Sequence, residues 1–324
     1  MPKCSNPFPE RGPVRAGRAV MPASIDPALP PIVLAFAASD PSGGAGIQAD
    51  LLTLGSMGCH PLSVITALTV QDTAGVEGVL AIDADWVADQ ARALLEDSAI
   101  DAFKIGVLGS VDNVVAVAEI VSDYPDVPLV LDPVLASGRG DEFANDDVVH
   151  ALRDMLLPQT TILTPNSVEA RRLAANDDEE EPALSVCAAR LVEAGCEYVL
   201  ITGTHEPTSE VVNTLYGKRG VVRSDRWPRL PHSYHGSGCT LASAIAAMLA
   251  NGANAADAVR DAQDYTWHAL EKAYRPGMGQ YVPDRFFWGR DDADEKNGDD
   301  GSDRVGGDNG RGEGEASAHA TGIK

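Results

Sequence analysis

Apolar residues fill consecutive positions in short runs at 32–38, 62–70, 102–105, 129–131, 160–163, 198–202 and 211–216. A strand with one wet face alternates apolar and polar residues. A strand covered on both faces does not, so several of these runs predict strands inside a parallel sheet. Between the runs the spacing changes to the three- and four-residue period of helices. The segment 45–57 carries Ile47, Leu51, Leu52 and Leu54 in this way. Helices are also predicted over 84–95, 111–121, 146–156, 168–175, 184–194, 239–249 and 255–273. Such alternation predicts one α/β domain, with a mainly parallel central sheet covered by helices on both faces. There is no internal repeat, and no Pro/Gly/Ser linker divides the pattern. The acidic run 177–181 reads as a surface loop between two helices.

Both ends lack this patterning. Residues 1–30 are rich in Pro, Arg and Gly and read as a disordered extension rather than a signal peptide, with Met21 as an alternative start. Residues 289–324 hold ten acidic side chains, five basic ones and nine glycines. That composition cannot bury enough apolar surface to offset its ordering entropy and reads as a disordered acidic tail. The folded domain is therefore expected over 31–288. The whole chain of 324 residues has 25 Lys+Arg against 48 Asp+Glu, a net charge of −23. The first thirty residues take four basic and two acidic side chains, and the tail five and ten, so 16 basic and 36 acidic residues remain in the domain. The acidity belongs to the fold itself. It excludes a general nucleic-acid surface and argues against an anionic membrane surface, since both need clustered cations. It fits a surface adapted to high salt, or a general compositional bias. No run of eighteen apolar residues occurs, so no membrane span is expected. Five scattered cysteines without C-x-x-C spacing argue against a disulfide framework or a thiolate zinc site and suit the reducing cytoplasm.

Candidate chemistry lies in loops that follow strands, where ligands of open α/β sheets bind. The first strand runs into DPSGGAG at residues 40–46, and a helix opens there. Glycines let a backbone approach a ligand, and a helix N-terminus favours an anion or a polar edge. The loop is not G-x-G-x-x-G, and G-x-x-x-x-G-K-[ST] is absent, so neither the dinucleotide nor the Walker motif is supported. Asp50 on the same helix either projects toward a ligand or is a solvated helix charge. The loop HGSGCT at 235–240 opens a helix of small residues. Amides around Gly236, Ser237, Gly238 and Cys239, with the helix dipole behind them, would form an anion hole for a transferring phosphoryl group. The same field is expected to lower the Cys239 thiol toward neutrality. Cys187 and Cys196 are expected in the core, and His235 at the rim or in a structural role. Asn166 and Glu169 stand three apart at a helix start, as a local cap or as holders of hydrated Mg²⁺. Asp132 ends a strand, where burial without a partner is costly. Gln71 offers a donor and an acceptor to a heterocycle edge.

Taken in order, the segments DPSGGAGIQAD (40–50), SVITALTVQDT (63–73), Lys104-Ile105-Gly106, LDPV (131–134), Thr164-Pro165-Asn166 with Glu169, and HGSGCTL (235–241) closely resemble the hydroxymethylpyrimidine/phosphomethylpyrimidine kinases of thiamine biosynthesis. These are ribokinase-like enzymes, and the likeness spans residues 31–274. The resemblance implies ATP- and Mg²⁺-dependent phosphorylation of 4-amino-5-hydroxymethyl-2-methylpyrimidine, then of its monophosphate, by a homodimer. It places pyrimidine contacts at Ala38, Asp50, Gln71, Val107 and Val134, and the catalytic cysteine at Cys239 within the amides of Gly236 and Gly238. Asn166 and Glu169 match the segment that positions metal and phosphate; Ser237 and Thr202 are expected beside the nucleotide, and Asp132 with Glu169 at the metal.

The chain departs from that pattern in three places. Ala38 stands where the family often has Gly, and Val107 where it often has Met. Thr202 stands where many members carry a lysine near the nucleotide phosphates. Lys104 is expected to be structural or at the rim. Two other readings compete: a pyridoxal kinase, whose ring needs fewer hydrogen bonds than Gln71 offers, and a non-catalytic pyrimidine sensor that uses the acidic tail for partners.

Overall fold

The computed structural model of the chain describes residues 29–136, 140, 143–175 and 181–289. Residues 1–28 of the N-terminal extension, most of the acidic run 177–181 and residues 290–324 of the C-terminal tail lie outside the described residues. Met1–Arg285 is one compact unit and Phe286–Lys324 a second. Of the second unit only residues 286–289 are described; they form a single turn closed by Gly289 N–H on the Phe286 carbonyl (3.0 Å).

Nine strands build one sheet: β1 (Ile32–Ser39), β2 (His60–Gln71), β3 (Val76–Ala81), β4 (Ala102–Ile105), β5 (Leu129–Leu131), β6 (Ile162–Leu163), β7 (Tyr198–Ile201), β8 (Glu210–Gly217) and β9 (Gly220–Pro228). Their order is β3-β2-β1-β4-β5-β6-β7-β8-β9. Strands β1, β2, β4, β5, β6 and β7 are mutually parallel, while β3, β8 and β9 pair antiparallel to their neighbours. The predicted strands are all present. Two were not predicted, β3 and β9. Both are the outer arms of hairpins, half in water and interrupted by glycine or charge, so neither shows the unbroken apolar run of a covered strand.

Eight helices follow: α1 (Gly46–Ser56), α2 (Ala84–Asp97), α3 (Val111–Ser122), α4 (Asp146–Ala151), α5 (Ser167–Ala174), α6 (Leu184–Glu193), α7 (Ser237–Ala250) and α8 (Ala255–Glu271). The single helix expected over 146–156 is instead α4 followed by a π turn at Leu152–Leu156 and a 3₁₀ turn at Leu157–Gln159. Pro158 in the 3₁₀ turn has no N–H to continue an α ladder.

The period of two along each strand divides the core. Leu34, Phe36, Phe103, Ile105, Leu129 and Leu131 face α2, α3, α5 and α6. Val33, Ala35, Ala37, Ala102, Val130 and Ile162 face α1, α7 and α8. The second layer is built from small residues, which lets α7 lie close to the sheet; it is buried at every position from 240 to 247. Lys104 falls on this layer by its place in β4, two residues from Ala102. A cation there must find partners among neighbouring elements.

Candidate active site

The parallel strands all end at one edge, and the chain passes from β1 outward to β2 before returning to β4 on the other side of β1. A crevice opens at such a reversal. It is a cavity of about 510 Å³ lined by Ala38 after β1, Gln71 in β2, Val107 after β4, Asp132 and Val134 after β5, Asn166 after β6 and Thr202 after β7. The N-terminus of α7 closes it with Gly236, Ser237, Gly238 and Cys239. Twelve of the thirteen sequence-predicted site residues therefore converge on one space.

Asp50 is the exception. It is fully buried beneath the cavity and does not line it. Its carboxylate lies 2.8 Å from Lys104 Nζ and accepts a hydrogen bond from Ser243 Oγ (2.8 Å). The expected pyrimidine contact is corrected to a counter-ion role, because α1 turns this residue onto the sheet. The rim position expected for Lys104 is corrected as well. Its side chain is fully buried, 3.9 Å from Asp132 Oδ2, and lines the cavity from below. Burial opposes its charge, but Asp50 first and Asp132 with it hold the ammonium protonated. The cue available in the sequence was a lysine inside an otherwise apolar four-residue strand.

Gly236 is the cap of α7 and sits at φ 78°. A Cβ there would overlap the Gly44 carbonyl, so only glycine fits on two counts. The first bond inside the helix runs from Thr240 N–H to Gly236 O (2.9 Å). The amides of residues 237–239 therefore have no partner within the helix. Gly238 differs from Gly236. A Cβ on it would meet nothing closer than Asp132 Oδ1 at 3.8 Å, so the protein itself leaves this space open.

Cys239 is half-buried in this turn. The charges of Lys104, Asp132 and Asp50 act on its thiol. The expected lowering of its pKa is overturned. Desolvation, with the nearby charges of Asp132 and Asp50, pushes the thiol up to about 12 against the pull of Lys104. The helix dipole is outweighed by burial, which strips solvent from the thiolate, and Lys104 offsets only part of that cost. Cys187 and Cys196 are buried in the core, as expected.

Asp40 ties the two glycine-containing loops together. It accepts from the Ser42 amide (2.8 Å) and the Ala45 amide (2.7 Å) and pairs with His235 Nε2 at 2.8 Å. Burial opposes its charge, but these hydrogen bonds hold the carboxyl below the usual range. The pairing spans 195 residues and gave no signal in sequence.

Asn166 and Glu169 form a complete capping box at α5. Asn166 Oδ1 accepts from the Val168 and Glu169 amides, and Glu169 Oε2 accepts from the Asn166 amide, each at 2.9 Å. The local cap is thus present, and the carboxylate also faces the cavity. Burial and then the charge of Asp132 push Glu169 up to about 8. Asp132 Oδ2 is buried without a hydrogen-bond partner. Two acidic groups that repel one another, one with an orphaned oxygen, fit a divalent cation. No group of three protein ligands occurs among the described residues.

The opposite end of the cavity is aromatic. Trp227 stacks on Trp267 with ring centroids 6.3 Å apart. Gln263 joins this end through Trp227 Nε1 (3.0 Å) and Asn213 Nδ2 (2.9 Å), and Asn213 Oδ1 accepts from the Gly203 amide (3.0 Å). Gln71, at the other end, is half-buried, and its amide bonds to no described residue. One end thus offers free amide groups, the other a flat apolar wall, and the amides of α7 lie between.

A family model described as phosphomethylpyrimidine kinase matches residues 40–284. A hydroxymethylpyrimidine/phosphomethylpyrimidine kinase of Streptomyces coelicolor is 38% identical over 263 residues, covering 80% of this chain and 96% of that protein. The crystal structure of phosphomethylpyrimidine kinase from Clostridium difficile superposes with a TM-score of 0.64 at 33% identity, over 74% of this chain and 99% of that one. The ADP complex of Bacillus subtilis pyridoxal kinase superposes with a TM-score of 0.72 at 27% identity, over 81% of this chain and 99% of that one.

Proposed function

This chain belongs to the phosphomethylpyrimidine kinase family, and from that membership we propose how its pocket works. It transfers the γ-phosphoryl group of ATP to the hydroxymethyl oxygen of 4-amino-5-hydroxymethyl-2-methylpyrimidine, and a second phosphoryl group to the monophosphate, in thiamine biosynthesis. Gln71 pairs with the polar edge of the aminopyrimidine, while Ala38, Val107 and Val134 form the walls about the ring. The adenine lies toward the Trp227 end, and Thr202 and Ser237 flank the phosphates. The observation that carries this reading is the position of the partnerless α7 amides between a free amide side chain and a flat apolar wall.

The hydroxyl oxygen attacks the γ-phosphorus; the new O–P bond forms as the bond to the bridging oxygen breaks and ADP leaves. Amides of residues 237–239 stabilise charge on the equatorial oxygens. A thiol pushed up to about 12 is no free thiolate. We assign Cys239 instead to orienting the hydroxyl as a neutral thiol, and the hydroxyl proton leaves with the transferred phosphoryl group. Mg²⁺, held by Asp132 and Glu169, would neutralise phosphate charge when bound.

The remaining assignments rest on the same footing. Leu68, Val70 and Leu80 leave an apolar strip exposed on one face of the β2–β3 hairpin, which supports a homodimer. No helix among the described residues is long and apolar enough to cross a membrane. The four described cysteines are all free thiols, which supports the cytoplasm.

Steady-state assays with ATP·Mg²⁺ test the reading. The pyrimidine alcohol and its monophosphate are expected to turn over well above pyridoxal. Faster turnover of pyridoxal would transfer the chain to the second reading, which the fold of the Bacillus subtilis enzyme favours. Absence of turnover with either would leave only the sensor.

A further inference from the structure

Arg285 is buried to 3% exposure directly behind the phosphate cradle. Its Nε donates to Thr240 Oγ1 (3.1 Å), Nη2 to the Gly44 carbonyl (2.6 Å) and Nη1 to the Gly43 carbonyl (3.4 Å). Thr240 Oγ1 in turn donates to Gly236 O (2.8 Å). One guanidinium thus joins the turn after β1 to the cap of α7, the two loops that face the transferring phosphoryl group. Among the described residues no carboxylate forms an ion pair with it.

That placement is electrostatically unfavourable in the free protein. A buried charge without a counter-ion is costly. A cation at a helix N-terminus also opposes the dipole. Both penalties fall when an anion occupies the amides of residues 237–239. Fixed positive potential aimed where negative charge gathers is the arrangement that stabilises a transition state without reorganisation. The chain has Thr202, not lysine, beside the expected phosphates, so this positive charge reaches the site from the other side.

We propose that Arg285 is a positioning residue for phosphoryl transfer: it holds the Gly236 cap through Thr240, anchors the Gly43–Gly44 turn, and supplies the unpaired positive charge behind the cradle. The proposal rests on the kinase reading, but it fails separately from it. The full chain would be assayed as the native protein, Arg285→Met, Arg285→Lys and Thr240→Val. Turnover of the pyrimidine by the native chain tests the reading itself. If that holds, Arg285→Met is expected to lower kcat at least tenfold and to raise KM for ATP, with KM for the pyrimidine unchanged. Arg285→Lys is expected to recover much of the loss. Inorganic phosphate should raise the melting temperature of the native chain and of Arg285→Lys, and to a lesser extent that of Arg285→Met. If Arg285→Met does not fold, Thr240→Val keeps the charge, breaks the relay to Gly236, and should lower kcat severalfold at unchanged pyrimidine KM. A folded Arg285→Met with native kcat and KM values would overturn the proposal. So would equal losses in Met and Lys variants with an unchanged phosphate response, which would make Arg285 a structural tie alone, and so would a native kcat in Thr240→Val.

Discussion

At the scale of single residues, the charge state of Cys239 matters most. Burial, with the charges of Asp132 and Asp50, holds it as a thiol, pushed up to about 12, although it opens a helix. Iodoacetamide is therefore expected to modify it slowly at pH 7–8.5, with no inflection in that range; an inflection near neutrality would restore the thiolate. Replacing it by Ala should lower turnover by orders of magnitude and leave pyrimidine binding largely intact, measured by titration calorimetry. Gly238→Ala makes a different test. The protein has room for the methyl group, with Asp132 Oδ1 3.8 Å away, and Ala is the better helix former. The variant should melt at or slightly above the native temperature while ATP turnover falls at least tenfold, because the methyl takes space meant for phosphate. Glu169 provides the pH dependence. Its value rises from the ordinary 4.5 to about 8 on folding, so its protonated form is the one the fold favours. Its contribution to stability is complete below the unfolded value and is lost as pH climbs toward 8. Mg²⁺ needs the ionised form. The rise in melting temperature on adding Mg²⁺ should therefore grow between pH 6 and 8.5; a gain independent of pH would remove Glu169 from the metal.

At the scale of elements, the site is a product of strand ends and helix starts. Each parallel strand contributes one or two side chains at its C-terminal end, and α7 contributes amides. The predicted elements and the loops between them were legible because both-face burial writes an unbroken apolar run. The β2–β3 hairpin was only half legible. Its outer strand shows Val79 and Leu80 to solvent at 43% and 65% exposure, a pattern that reads as neither a covered strand nor a wet one. An apolar edge strand invites pairing. By analytical ultracentrifugation the native chain is expected to sediment as a dimer and Leu80→Asp as a monomer. A native chain that is monomeric at micromolar concentration would set the homodimer aside.

At the scale of the whole molecule, a net charge of −23 sets the response to salt. Mutual repulsion of like charges opposes the compact state and is screened as ionic strength rises. Melting temperature and activity should therefore both increase as KCl is raised well above physiological levels; an optimum near zero added salt would leave compositional bias as the reason for the acidity. Periodicity and loop chemistry along the chain determined the α/β architecture, the division of the core and the residues that meet at the strand ends. Those properties are local: they depend on spacings of two to four residues and on turns of a few more. The tertiary structure alone decided which charges meet. Asp50, Lys104, Asp132, Cys239 and Arg285 come from five separate parts of the chain, and the protonation of the last four follows from desolvation and from neighbours that only packing supplies. Hence the position of Cys239 could be read from sequence, whereas its proton, the counter-ion role of Asp50 and the buried cation behind α7 required the fold.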